Sequence, residues 1–256
     1  MKQADYLPYR PQGKPVSIDT KIWTVEGPVV PYKVGPIVIP CPTRSTVLAD
    51  PEGGLWIHSP IAHTRVVEKK VAALGPIRGF IAPNTFHHLF VNQWASRFPE
   101  ADLILAPGLE RRFTHLPNRL LGPSAGFKAV EEWMQIVGLH GGKWSELAFF
   151  HRQSGSLVFT DLVQNFELDR LNDWRAKFLL ALSGAGKRPV ISFELLSMAL
   201  WAGRLSQVRK TLSELQAMPI RRLLISHGAQ PTKQELGRMG WNLDGVSGEP
   251  ISRVAT

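Results

Sequence analysis

The stretch Ile77-Arg78-Gly79-Phe80-Ile81-Ala82-Pro83-Asn84-Thr85-Phe86-His87-His88-Leu89-Phe90 constrains the fold more than any other part of the chain. An apolar run breaks at Pro-Asn and two histidines follow, which reads as a buried strand ending in a polar turn that opens a helix. Pro83 biases Ala82 toward extended geometry. Asn84 or Thr85 can accept from the orphan N–H groups of a helix whose apolar face is Phe86, Phe90, Trp94 and Phe98. Adjacent helical residues diverge by about 100°, so His87 and His88 can converge on one ion only where the backbone is still turning. A capped helix with two partly exposed imidazoles is the plainer alternative.

Around this stretch the chain alternates strand and helix, an α/β pattern. Residues 1–20 carry Pro8, Pro11 and Pro15 and are expected as an extended arm, followed by one domain over 21–235 and a Gly-rich polar tail over 236–256. Short β-runs broken by Gly27-Pro28 and Gly35-Pro36 precede a pair of strands, Thr43–Asp50 and Gly54–Pro60, joined by a tight turn. Spacing predicts a helix over Thr64–Leu74, then strands at Ile77–Ala82, Asp102–Gly108, Trp144–Phe150 and Leu157–Asp161. Leu109–Gly142 reads as loop with a helix. Glu167–Leu182 and Glu194–Gln216 read as helices, and Ile220–Ile225 as a last buried strand.

Several classes can be set aside. A single cysteine, Cys41, excludes an intrachain disulfide and a thiolate metal cage, so a reducing, cytoplasmic setting is expected. Met1–Lys21 lacks a signal peptide's apolar core, and no stretch approaches the roughly 20 apolar residues that span a bilayer. A net charge of +9 favours anionic partners: nucleic acid, acidic lipid, or a phosphorylated or carboxylated small molecule. The basic residues are scattered, however, and Arg111-Arg112 and Arg221-Arg222 are pairs without interleaved aromatics, so a small anionic substrate ranks above nucleic acid. There is no glycine-rich nucleotide fingerprint, phosphate-cradling lysine loop or serine-nucleophile elbow.

The chemistry-bearing residues recur at strand ends. His58, Asn84 with His87 and His88, His151, Asp161 and His227 each lie just beyond an apolar run, and such loops gather at one sheet edge in layered α/β proteins. Imidazole and carboxylate suit zinc, iron or manganese. Each residue also has a plainer reading: His58 can bond a carbonyl, Asp161 can cap the next segment, and Asn84 can cap the histidine turn. Arg152, directly after His151, is the guanidinium placed to meet an anionic substrate group.

Taken together, Thr43-Arg44, Gly54-Leu55-Trp56-Ile57-His58-Ser59-Pro60, Ala82-Pro83-Asn84 with His87-His88, Phe98-Pro99-Glu100-Ala101, Phe150-His151, Thr160-Asp161-Leu162 and His227-Gly228 resemble the metallo-β-lactamase-like superfamily. Within it the likeness is to an uncharacterised domain-of-unknown-function branch. The resemblance runs from about Thr43 to Pro231 and implies an αββα sandwich. The superfamily's His-x-His-x-Asp-His signature is not intact: Pro83 and Thr85 stand in place of its first two histidines, and His87 in place of its aspartate. The resemblance implies a second metal position of His88, Asp161 and His227 with His87 nearby, and a first position reduced to His151. His58 falls where the family has an orienting aspartate. One divalent ion is therefore expected, zinc first, with iron or manganese as alternatives.

The activity so implied is hydrolysis of an ester, thioester, lactone or phosphoester by metal-activated water. Asp161 would act as ligand and proton acceptor, His151 as ligand or general acid–base, and Asn84 as donor to a developing oxyanion. Two other readings stand beside it: a member without catalysis that binds a ligand or partner, and a nucleic-acid protein.

Overall fold

The computed structural model describes residues 5–122 and 127–243. The chain opens with β1 (Pro15–Asp19), β2 (Ile22–Val34) and β3 (Ile37–Ala49), a meander whose second hairpin turns at Gly35 with φ of +56°. Gly27-Pro28 does not end a strand. Proline has no N–H for the ladder, and the pairing absorbs it as a register shift between Glu26 and Val29. β4 (Leu55–His58) closes the antiparallel half, and β5 (Ile77–Ala82), β6 (Asp102–Leu105) and β7 (Leu120–Leu121) extend the seven-stranded sheet in parallel.

A second sheet contains β8 (Met134–His140), β9 (Ser145–His151) and β10 (Ser156–Val158). A two-stranded ribbon follows from β11 (Val163–Gln164) and β12 (Val190–Ile191), and β13 (Arg222–Leu224) completes the second sheet by pairing parallel with β10. Its sheet order is β13-β10-β9-β8. Period-two alternation explains why this sheet lies mid-molecule. Leu147, Phe149, Val158 and Leu224 point into the core shared with the first sheet, whereas Ala148, Leu157 and Leu223 point into a separate core on the other face.

The helices cover the outer faces. Among them are α1 (Arg65–Ala72) and α2 (Val91–Ala95), whose Val67, Val71 and Trp94 join the first core. Two one-turn helices, α3 (Glu110–Phe113) and α4 (Lys128–Glu131), lie in the connection to β8. α5 (Trp174–Ser183) packs on β3 through Ala176 and Leu180 beside Ile39. α6 (Phe193–Trp201), α7 (Leu205–Ala217) and α8 (Lys233–Arg238) carry the apolar residues that cover the second sheet. The result is an αββα sandwich, as the resemblance implied.

Several local expectations are corrected. No helix starts at Asn84: it makes an isolated antiparallel bridge to Glu146, residues 85–90 are bend and turn, and helical structure begins only at Val91. The region expected as loop holds β8. Gly203, at φ of +66°, divides the expected helix over 194–216 into α6 and α7, and the helix expected from Glu167 begins at Trp174 behind an Asp173 cap. The proposed N-terminal arm is in part β1, and Tyr6 is fully buried against Phe166. The proposed tail begins inside α8, which carries a Thr232–Glu235 capping box, and Trp241 is buried; residues 244–256 lie outside the described set. Among the described residues no helix is long and apolar enough to cross a membrane.

Candidate metal centre

Three loops bring His87, Asp161 and His227 together. His87 Nε2 lies 2.9 Å from His227 Nε2 and 3.3 Å from Asp161 Oδ1, and His227 Nε2 lies 3.1 Å from the same oxygen. Among the described residues this is the one group of three or more His, Cys, Asp or Glu ligand atoms that could hold a metal ion. An ion about 2 Å from each of three ligands wants them roughly 3.3 Å apart, so the triangle fits one small divalent ion. The protonation pattern fits too. His227 Nδ1 faces the Pro42 carbonyl at 2.7 Å and must be the N–H, which leaves Nε2 as a lone pair aimed at the cluster. His87 Nδ1 meets the Ser59 hydroxyl at 2.6 Å, which supports the same tautomer.

The backbone that aims these groups is tightly held. Asn84 Oδ1 accepts from the amides of Phe86 and His87, bending the chain at once so that His87 turns inward. Its Nδ2 donates to Asp161 Oδ2 at 2.6 Å and to Thr160 Oγ1 at 2.8 Å, so both amide hydrogens are engaged within the protein. Asn84 therefore positions Asp161, and its amide hydrogens are not turned to the cleft. Arg44, buried, donates from one guanidinium nitrogen to the carbonyls of Ile225 and Gly228 and pairs with Glu26, fixing the His227 loop. Gly228 is required there. Its φ is +90°, and a Cβ would stand 1.9 Å from the Asn165 carbonyl oxygen.

Glu146 was not anticipated as part of the site. Fully buried on β9, it accepts from the amides of Thr160, Asp161 and Leu162 and from the Thr160 hydroxyl. Burial, and after it the Asp161 charge, pushes the Glu146 carboxyl up to about 7. The available signal was a carboxylate inside the apolar run Trp144–Phe150, since a buried charge demands partners.

The other expected site residues stand apart. His88 turns away from the cluster and its ring meets Phe113 edge-on, so His87 occupies the place assigned to His88. His151 sits at the far end of β9 from Glu146, about 17 Å along the strand at the usual rise per residue. Its Nδ1 bonds Ser154, and its ring packs on Trp133. Arg152 is exposed at that same distant end, with its backbone amide bonded to the Trp133 carbonyl. The antiparallel turn between β9 and β10 is the reason: the end of β9 and the end of β10 lie on opposite edges of the sheet. His58 is fully buried edge-on to Phe149, and neither of its ring nitrogens has a hydrogen-bond partner among the described residues. Burial, with a smaller contribution from His87, lowers its pKa to about 3.

The cluster forms the floor of a cleft of about 670 Å³ walled by side chains such as Val30, Ile39, Phe86, Leu179 and Met198. Sandwich and site together define a metallo-β-lactamase fold, and solved structures of that class share it. A metallo-β-lactamase from Erythrobacter litoralis superposes with a TM-score of 0.54 at 12% identity, covering 90% of this chain and 96% of its own. One from Hirschia baltica gives 0.53 at 13% identity, covering 89% and 96%. Residues 1–254 of a Nostoc sp. PCC 7120 protein named as a diflavin flavoprotein give 0.60 at 10% identity, covering 93% and 94%. At these identities the likeness is one of fold. By sequence, the chain belongs to the family described as domain of unknown function DUF4336, which matches residues 19–170. No curated protein matches the sequence significantly.

Proposed function

We propose that the protein is a metal-dependent hydrolase that uses one divalent ion, zinc first, held by His87, Asp161 and His227. The observation that carries this reading is the convergence of two Nε2 atoms and one carboxylate oxygen, all within 3.3 Å of each other, on the floor of an open cleft. When bound, such an ion lowers the pKa of water toward neutrality and polarises a carbonyl or phosphoryl oxygen, the two requirements of hydrolysis without a protein nucleophile. Three protein ligands leave a tetrahedral ion one free position, as in catalytic sites.

The chain's own residues supply the order. Pro42 and Ser59 orient the two imidazoles through Nδ1. Asn84 occupies Asp161 Oδ2, so Oδ1 alone turns to the cluster, and Glu146 locks the turn that carries Asp161. Scissile bonds of the ester, thioester, lactone or phosphoester type suit this arrangement. Elemental analysis of protein purified without added metal tests it. About one equivalent of metal is expected, lost in His87→Ala, Asp161→Ala and His227→Ala and kept in His88→Ala and His151→Ala. Folded wild-type protein that neither carries metal nor takes it up on titration would end the hydrolase reading.

A further inference from the structure

The cleft above the cluster has a property that the metal reading does not explain. Among the described residues that line it there is no lysine or arginine, although the chain carries a net charge of +9. Away from the cluster its one carboxylate, Glu194, is closed on Tyr32, whose hydroxyl donates to it at 2.5 Å, and the other ionisable groups that line it are Cys41 and His88. The walls come from four separate elements: Val30 on β2, Ile39 on β3, Leu179 on α5 and Met198 on α6, with Phe90 from the histidine turn. The apolar surface continues outward at the mouth. Leu89, Phe193 and Trp201 are 59%, 67% and 90% exposed and all line the cleft. Contiguous apolar surface that opens into a cleft marks a binding site, unlike scattered single residues.

We propose that the cleft takes the straight acyl or alkyl chain of an amphipathic substrate, with its carbonyl end at His87, Asp161 and His227. This deepens the hydrolase reading and rests on it for the reacting end alone. A phosphorylated or otherwise charged body has no counter-charge along these walls, and Arg152, expected to provide one, lies at the far edge of the second sheet. Hydrolysis of an acyl ester or thioester here adds water across the C–O or C–S bond. The products are the carboxylic acid and an alcohol or thiol, which takes the second proton.

Titration calorimetry of the full-length zinc-loaded protein with straight-chain carboxylates, butyrate through dodecanoate, separates the two claims. The dissociation constant should fall by about fourfold per added methylene until the chain reaches the mouth. Leu179→Arg and Met198→Arg, with zinc content and circular dichroism unchanged, should flatten that slope. Asp161→Ala should weaken every chain length alike and leave the slope intact, because the head group and not the chain meets the ion. A flat series in wild-type protein overturns the proposal whatever the head group does. So does a slope that survives both arginine variants. A graded series whose overall affinity is unchanged when zinc is removed keeps the acyl site and removes the hydrolase reading beneath it.

Phosphatidylcholine vesicles in the same experiment identify the source of the chain. Protein that sediments with them takes it from a bilayer lipid, and protein that binds only free carboxylates takes it from a soluble ester. A flat series together with a dimer dissolved by Trp201→Glu would reassign the apolar mouth to contact between copies.

Discussion

Glu146 is the residue through which the second sheet holds Asp161, and two substitutions separate its contributions. One carboxylate oxygen accepts from the Thr160 amide and hydroxyl at 2.5 and 2.6 Å and from the Asp161 amide at 3.1 Å; the other accepts from the Leu162 amide at 2.9 Å. Glutamine keeps the volume. With its carbonyl on the three-donor side it retains three of the four bonds, and its NH2 then opposes the Leu162 N–H. One buried donor left unsatisfied costs about 1–3 kcal/mol, so Glu146→Gln should lose about 2 kcal/mol. Alanine strands all four donors, a loss of about 8 kcal/mol at about 2 kcal/mol each, while the buried carboxylate it removes returns several kcal/mol of desolvation. The net expectation for Glu146→Ala is about 4 kcal/mol.

Urea unfolding at a pH above the raised carboxyl value, where the acceptor is ionised, measures both. A zinc competition titration should show binding weakened about 10- to 100-fold, the usual effect of losing a group that orients a ligand. Alanine within about 1 kcal/mol of wild type, or glutamine as damaging as alanine, would refute this account of how Asp161 is held.

Other consequences can be checked with the same assays. His58 has a folded pKa of about 3, below the ordinary 6.5, so the unfolded chain alone takes up a proton between those values; stability is full above pH 6.5 and falls on acidification by about 1.4 kcal/mol per pH unit. His58→Leu should remove that slope, making the variant relatively more stable by about 3 kcal/mol two pH units below 6.5, and parallel acid profiles for the two proteins would count against it. Gly228→Ala should cost on the order of 3 kcal/mol and abolish zinc binding, because its Cβ would stand 1.9 Å from a backbone oxygen; unaltered thermal unfolding and zinc uptake would contradict the geometry. Arg152→Ala should leave zinc content and esterase kinetics unchanged, and a raised KM would return Arg152 to the substrate.

Local pattern determined much of this protein. Apolar runs ending in His, Asn or Asp marked β4, β5, β10 and β13 and the loops that follow them, and with them Asn84, His87, Asp161 and His227, because period-two burial and strand-end polarity are written in neighbouring residues. The break at Pro83-Asn84 likewise announced a turn that would point a histidine out of the strand direction. Which histidine it pointed was decided by the tertiary structure: Asn84 bonds two successive amides and Ser59 receives His87, and Ser59 belongs to a strand end distant in sequence.

His151 and Arg152 show the converse. They end a strand as plainly as the others do, yet a strand end has no address until the sheet's directions are known, and the β9–β10 hairpin sends them to the edge opposite Asp161. Glu146 was equally hidden, since its partners lie across the hairpin at residues 160–162. Local order comes from contacts between neighbours along the chain. The triangle of His87, Asp161 and His227 and its apolar cleft come from contacts between distant segments, whose distances are set only when the two sheets close on one another.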